Sequence, residues 1–196
     1  MKSYRQLEKI IYLLGVRIIS GKYKSQTIEF PKSKLVRPTT DRNKEAIFNI
    51  LNNIIDFEGL KVLDLYAGSG SLGLEALSRG AEFVHFVEMD FKVSQVLMKN
   101  IKKLNCENQC KIFNSDCVSF SAFRNQVKYD LILADPPFFK DDIHQVFKNI
   151  INNNFLSEIG TFLIERSIQT KANDEEQFGI KTFRKLGDSV IYIYEV

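Results

Sequence analysis

The stretch that most limits the possible folds is "KVLDLYAGSGSLGLEALSRG", residues 61–80. An apolar run with the length of a buried strand (61–67) meets Gly68, Gly70 and Gly73. It then passes into a helical pattern (71–80) that Gly80 stops. Glycine permits a tight turn and lets a ligand approach backbone N–H groups at a helix N-terminus. A strand that feeds a helix through such a turn is the first half of a strand–helix–strand unit, and units of this kind build a parallel sheet.

The alternation continues along the chain. Strands are expected at 82–90, 110–116, 129–135 and 158–167. Helices are expected at 91–105, where Val93, Val96, Leu97, Ile101 and Leu104 keep helical spacing, and at 118–127 and 141–155. Residues 180–196 read as two strands joined by the turn "LGDS", and 16–31 as a hairpin with a glycine-containing turn. Residues 41–54 are amphipathic, with Asp41 as the expected N-cap. The expected fold is α/β: a mostly parallel sheet with helices on both faces, an antiparallel hairpin at its C-terminal end and a small N-terminal β-hairpin extension. At 196 residues and 44% hydrophobic, the chain can form one such core.

No apolar run approaches the ~20 residues of a membrane span. The apolar patch Ile10–Leu14 is broken by Gly15 and Arg17, which argues against a signal peptide. Cys106, Cys110 and Cys117 match neither CxxC nor a zinc spacing, so free thiols in a cytoplasmic protein are expected. With no clustered His/Cys/Asp set, no metal is expected.

The net charge of +3 is unevenly spread. Residues 1–44 hold eleven Lys/Arg against three acids, and residues 45–196 hold sixteen against twenty-one. A basic arm on a mildly acidic body suits a polyanionic partner; the plain alternative is a solvated face.

Gly68, Gly70 and Gly73 satisfy GxGxxG, and Glu88 lies 20 residues past Gly68 at the end of the next strand. A carboxylate there can accept both hydroxyls of a ribose. Asp64 discriminates between cofactors. It would repel the pyrophosphate of a dinucleotide and welcome the ammonium and sulfonium of S-adenosylmethionine. Asp116, ending the third strand, fits an acceptor for an adenine amino group or a cap for the next helix. Met89 and Cys117 fit the two faces of the ring, or plain core.

The fourth strand ends in "LILADPPFFK", 131–140, beside the first strand at the crevice where open α/β sheets bind ligands. An exocyclic amine on a base is a poor nucleophile because its lone pair is delocalised. Two acceptors aimed at its N–H groups, the Asp135 carboxylate and the Pro136 carbonyl, would free that lone pair. Pro136 and Pro137 fix the backbone, and Phe138 can stack on a base taken out of its helix. Phe139 reads as packing. His85 reads as core or edge, His144 as exposed, and Tyr192 and Tyr194 as one sheet face.

"DLYAGSGSLGLEALSRGA", "VEMD" and "ADPPF" resemble class I S-adenosylmethionine-dependent N-methyltransferases. With "RIISGKYKSQTIEFP" and "VRPTTDRNKEAIFNIL", residues 16–196 look like the RsmD family, which methylates the N2 of one guanine in 16S ribosomal RNA. The resemblance implies a seven-stranded Rossmann-like domain (41–196), a basic RNA-contacting hairpin and loop (16–40), and the assembled small subunit as preferred substrate. Residues 1–15 lie outside the pattern. It also implies an amine site at Asp135, Pro136, Pro137 and Phe138, and cofactor positions at Asp64, Tyr66, Ala67, Gly68, Ser69, Gly70, Glu88, Met89, Asp116 and Cys117. Arg17, Lys22, Lys24, Arg37, Thr40 and Arg42 fall where RNA is expected. A cytoplasmic monomer is expected. The alternatives are a DNA adenine-N6 or other amino methyltransferase, an NAD-dependent oxidoreductase, and a silent RNA-binding module.

Overall fold

The computed structural model describes residues 16–30, 41–124, 126–137 and 140–196. Strands β1 (Val16–Arg17) and β2 (Thr27–Ile28) pair antiparallel as a short hairpin. Helix α1 (Asp41–Leu51) follows. Then come β3 (Lys61–Leu65), α2 (Ser71–Ser78), β4 (Phe83–Val87), α3 (Phe91–Lys103), β5 (Cys110–Phe113), α4 (Cys117–Ser121) and β6 (Tyr129–Ala134). The chain ends with α5 (Asp142–Asn152), β7 (Leu156–Ser167), α6 (Lys171–Phe178), β8 (Arg184–Leu186) and β9 (Ser189–Glu195).

Seven strands form one sheet in the order β5-β4-β3-β6-β7-β9-β8. The first five in that row run parallel, and β9 and β8 are antiparallel additions. The strand order reverses between β3 and β6, so their carboxyl ends flank the crevice. The "LGDS" hairpin forms as expected, with Gly187 at φ 61.

Alternation along the strands splits the core in two. Val62, Leu131, Leu133, Leu163 and Ile191 face α1, α2, α3 and the hairpin. Leu63, Ile132, Ala134, Ile164 and Tyr192 face α5 and α6. Tyr192 and Tyr194 lie against that second core, as the alternation predicts.

Several expectations need correction. The helix at 118–127 is only one turn, Cys117–Ser121. The chain leaves it at Phe123, which is 78% exposed and so cannot extend a buried stripe. The fifth strand is longer than 158–167, because Leu156 pairs with Tyr129 across an irregular step. Helix α6 escapes a periodicity reading because only Asp174 and Phe178 of its eight residues are buried. Asp41, the expected N-cap, is the first residue of α1, and its side chain lies outside the described residues. His144 is buried, not exposed.

Candidate active site

The turn after β3 is held by positive backbone angles. Tyr66 has φ 57, Gly68 φ 55 and Gly70 φ 82. The left-handed conformation is unfavourable for a residue as bulky as Tyr66, and such residues cluster at functional sites. The Tyr66 hydroxyl donates to Asp142 Oδ1 at 3.2 Å. The Ala67 N–H donates to the Val87 carbonyl at 3.0 Å, and the Gly70 N–H to the Ala67 carbonyl at 2.7 Å. A Cβ on Gly70 would lie 2.4 Å from Leu97 Cδ1, the movable end of a side chain, so it is the left-handed angle that demands glycine.

Asp64 is 2% exposed, and its Oδ2 accepts the Gly73 N–H at 2.8 Å. It therefore satisfies an otherwise unpaired donor in the first turn of α2. A Cβ on Gly73 would sit 2.9 Å from that same Oδ2 and 2.4 Å from Phe86 Cε1. Burial pushes the Asp64 carboxyl well above the usual carboxylate range; the Gly73 bond opposes this, and the charges of Asp135 and Glu88 add to it. Asp64 thus lies at the floor of the turn, not on its surface, and three carboxylates share one neighbourhood.

Glu88 links the turn to the end of β4. Its Oε2 accepts the Gly68 N–H at 2.9 Å and its Oε1 the Asp90 N–H at 2.8 Å. Each carboxylate oxygen keeps a second lone pair. Asp116 caps α4 by accepting the Ser119 N–H at 2.8 Å, which holds its carboxyl below the usual range. Cys117, the first residue of α4, is buried, and burial pushes its thiol up. Met89 is 58% exposed, with its sulfur 3.3 Å from Lys140 Nζ. Ser69 is buried, and the neighbouring Ser71 has a buried hydroxyl with no partner among the described residues.

Asp135 directly follows β6. Since Leu65 pairs with Ala134, Asp135 lies at the level of Tyr66, across the switch point from the glycine turn. Pro136 is buried and Pro137 exposed, and the Pro137 carbonyl accepts the Lys140 N–H at 3.0 Å. Phe138 lies outside the described residues. Lys140, where the described residues resume, is held by a buried network. Arg166 donates from Nη1 to the Lys140 carbonyl at 3.1 Å and from Nε to Asp174 Oδ2 at 3.0 Å. Asp174 also meets His144 Nε2 at 2.7 Å and accepts from the Thr170 hydroxyl at 2.6 Å.

Sequence reasoning missed Arg166 and its neighbour Glu165, a buried carboxylate that accepts from Asn43 Nδ2 at 3.3 Å. The signal was two adjacent charges inside the apolar run "TFLIERS". It also missed what docks the hairpin. The Ile19 and Ser20 N–H groups donate to Glu75 of α2 at 2.7 and 3.0 Å, and Lys44 Nζ lies 3.5 Å from the same carboxylate. Asn100 of α3 bridges hairpin and turn. Its Oδ1 accepts the Glu29 N–H at 2.7 Å, and its Nδ2 donates to the Glu29 and Ser69 carbonyls at 2.9 and 3.0 Å.

Arg17, Lys22, Lys24 and Arg42 are exposed; Arg37 and Thr40 lie outside the described residues. Among the described residues no group of three His/Cys/Asp/Glu could hold a metal ion, and no helix is long and apolar enough to cross a membrane. Cys106 and Cys110 are free thiols, with their sulfurs 3.8 Å apart.

A sheet of this order, with a glycine turn at the switch point and an Asp-Pro-Pro at the neighbouring strand end, defines a class I methyltransferase fold. The comparisons narrow this. A family profile described as "Conserved hypothetical protein 95" matches residues 16–195. The "Ribosomal RNA small subunit methyltransferase D" of Escherichia coli (strain K12) is 36% identical over 154 residues, or 79% of this chain and 76% of the relative. The protein of the same name from Haemophilus influenzae is 38% identical over 152 residues, or 76% of this chain and 78% of the relative. The solved structure of the Escherichia coli protein yhhF superposes with a TM-score of 0.76 at 28% identity, covering 92% of this chain and 97% of that one. The chain belongs to the RsmD family of methyltransferases.

Proposed function

We propose that this protein transfers a methyl group from S-adenosyl-L-methionine to the exocyclic N2 of a guanine in 16S ribosomal RNA, within the assembled small subunit. The observation that carries the reading is the juxtaposition across β3 and β6. A glycine turn and the buried Asp64, on which the charges of Glu88 and Asp135 act, stand beside an Asp-Pro-Pro strand end. Such a cluster suits a cationic cofactor and disfavours the pyrophosphate of a dinucleotide. The relatives' ribosomal RNA substrate supports the choice of acceptor.

The residues take separate parts. Asp64 shapes the turn through the Gly73 N–H and adds negative charge below it. Glu88 would accept the ribose hydroxyls with the lone pairs left by Gly68 and Asp90, and Asp116 the adenine amino group. Tyr66, Ala67, Gly68, Ser69 and Gly70 would form the cradle, with Met89 and Cys117 near the adenine ring. Asp135 and the Pro136 carbonyl would accept the two N–H groups of the target amine, with Pro137 fixing the loop and Phe138 stacking on the base. When bound, the cofactor supplies an electrophilic methyl carbon; the N–C bond forms as the S–C bond breaks, and the amine then loses its proton to solvent. The protein's contribution is in-line positioning and electrostatics, not a strong base. Arg17, Lys22, Lys24, Arg37 and Thr40 of the residue 16–40 segment, together with Arg42, would meet the RNA. The reading implies a cytoplasmic monomer.

The test is methyl transfer from labelled cofactor to unmodified small subunits, to the same RNA stripped of protein, and to duplex DNA, with the product base identified by mass. N2-methylguanine from subunits is expected. N6-methyladenine in DNA would overturn the substrate. Asp135→Ala should abolish transfer while leaving cofactor affinity within several-fold; a large loss of cofactor binding would remove Asp135 from the amine site.

A further inference from the structure

Helix α3 runs for 13 residues as "FKVSQVLMKNIKK", with Lys92, Lys99, Lys102 and Lys103 and no acid. It belongs to the part of the chain that carries more acids than bases. A solvated helix face ordinarily intersperses both signs. At about 100° per residue, Lys92, Lys99 and Lys103 fall within roughly 40° of one another. They lie opposite the face that buries Val93, Leu97, Asn100 and Ile101. All four lysines are exposed. Among the described residues none forms a salt bridge, whereas Lys44, Lys171 and Lys181 do.

The helix dipole does not account for the stripe. Cations in the last turn are stabilised by it, which suits Lys102 and Lys103, but Lys92 stands in the first turn, where a cation is disfavoured. The stripe begins two residues past Asp90, whose own N–H donates to Glu88, and so starts at the mouth of the cofactor turn. It ends at the hairpin, where Lys103 Nζ donates to the Thr27 carbonyl at 2.6 Å and to its hydroxyl at 3.0 Å. The hairpin continues the positive charge with exposed Lys22 and Lys24.

We propose that the exposed face of α3 is a second RNA-contacting surface, a lysine stripe that engages the phosphate backbone of the substrate between the crevice and the hairpin. It rests on the RNA methyltransferase reading and extends the contact surface beyond the N-terminal segment. Phosphate is the ligand chemistry that a row of exposed ammonium groups outside any described salt bridge fits.

The test is a salt titration of binding to a small-subunit RNA fragment. The triple variant Lys92→Gln, Lys99→Gln, Lys102→Gln removes two lysines of the row and the exposed Lys102, roughly 80° round the helix from Lys92, and leaves the Lys103–Thr27 contacts intact. A control, Lys148→Gln, Lys181→Gln, Lys185→Gln, makes the same change in net charge elsewhere. The stripe variant should bind about tenfold or more weakly, and its slope of log affinity against log salt should shrink by about 2, with the control near wild type. Its transfer rate at saturating RNA should be retained. A wild-type slope in the stripe variant, or an equal loss in the control, would overturn the stripe while leaving the enzyme reading intact. Failure of the wild type to bind RNA would overturn both.

Discussion

Asn100 is where hairpin and cofactor turn are most directly joined, so it gives the sharpest test of how the fold supports the site. Replacing it with alanine deletes three hydrogen bonds, two to Glu29 and one to the Ser69 carbonyl. Ser69 is 2% exposed, so its carbonyl would lose a buried donor at a cost of about 1–3 kcal/mol. Glu29 is exposed and can turn to water, so its two bonds are worth about 0.5–1.5 kcal/mol each. The loss should total about 3–4 kcal/mol, large against a stability of about 5–15 kcal/mol but short of unfolding the chain at 25 °C. For a domain of this length the melting temperature should fall by roughly 10 °C. Asn100→Asp should be no better than alanine. It keeps the acceptor for the Glu29 N–H but turns a carboxylate oxygen toward two carbonyls that need donors. Urea unfolding measures the stability, and calorimetry on the folded variant should show cofactor affinity about tenfold weaker, because the Ser69 turn is no longer tethered. A loss below about 1 kcal/mol, or an aspartate variant as stable as wild type, would refute the reasoning.

Asp64→Asn should separate stability from function. The folded-state carboxyl sits above its unfolded value, so the native state holds its proton more tightly. Stability therefore falls as pH rises from the unfolded to the folded value, and the full penalty is present above it. The asparagine variant should be more stable at neutral pH and show a flatter acid-side profile in urea melts, yet bind the cationic cofactor about tenfold more weakly; a variant less stable at neutral pH would count against this. Arg166→Lys should cost about 3–5 kcal/mol, because the planar fork that meets Asp174 and the Lys140 carbonyl is lost and a buried charge is left poorly paired. Its transfer rate per folded molecule should drop further than its cofactor affinity, since Lys140, which bonds the Pro137 carbonyl, loses its anchor. An unaltered rate would show that the network supports stability alone.

The strand–helix alternation, the glycine turn and the Asp-Pro-Pro strand end were legible because each is a local pattern. A tight turn needs glycine, a parallel strand needs a run of apolar residues, and a strand end needs a stop. The seven-stranded sheet and both hairpins follow from these, and their boundaries shift by only a few residues. Helix α6 was not legible, because its one buried turn rests on Phe178 and on an aspartate whose partners lie on β7 and α5. His144 illustrates the same limit. Its position on an amphipathic helix says nothing of the buried carboxylate waiting opposite.

The sequence by itself determined the order of elements, the crevice and the residue types around it, since these depend on neighbours a few positions apart. Only the tertiary structure decided what those residues touch. Asp64 turns inward to the Gly73 N–H, nine positions on, a first-turn donor with no acceptor inside its own helix. The "GLEALSRG" helix shows the same division. It reads as an ordinary helix, yet Glu75 and Ser78 are the docking points for a hairpin more than fifty residues upstream. Contacts of that range carry no periodic signal along the chain; they arise only when the sheet brings α1, α2 and α3 to one face.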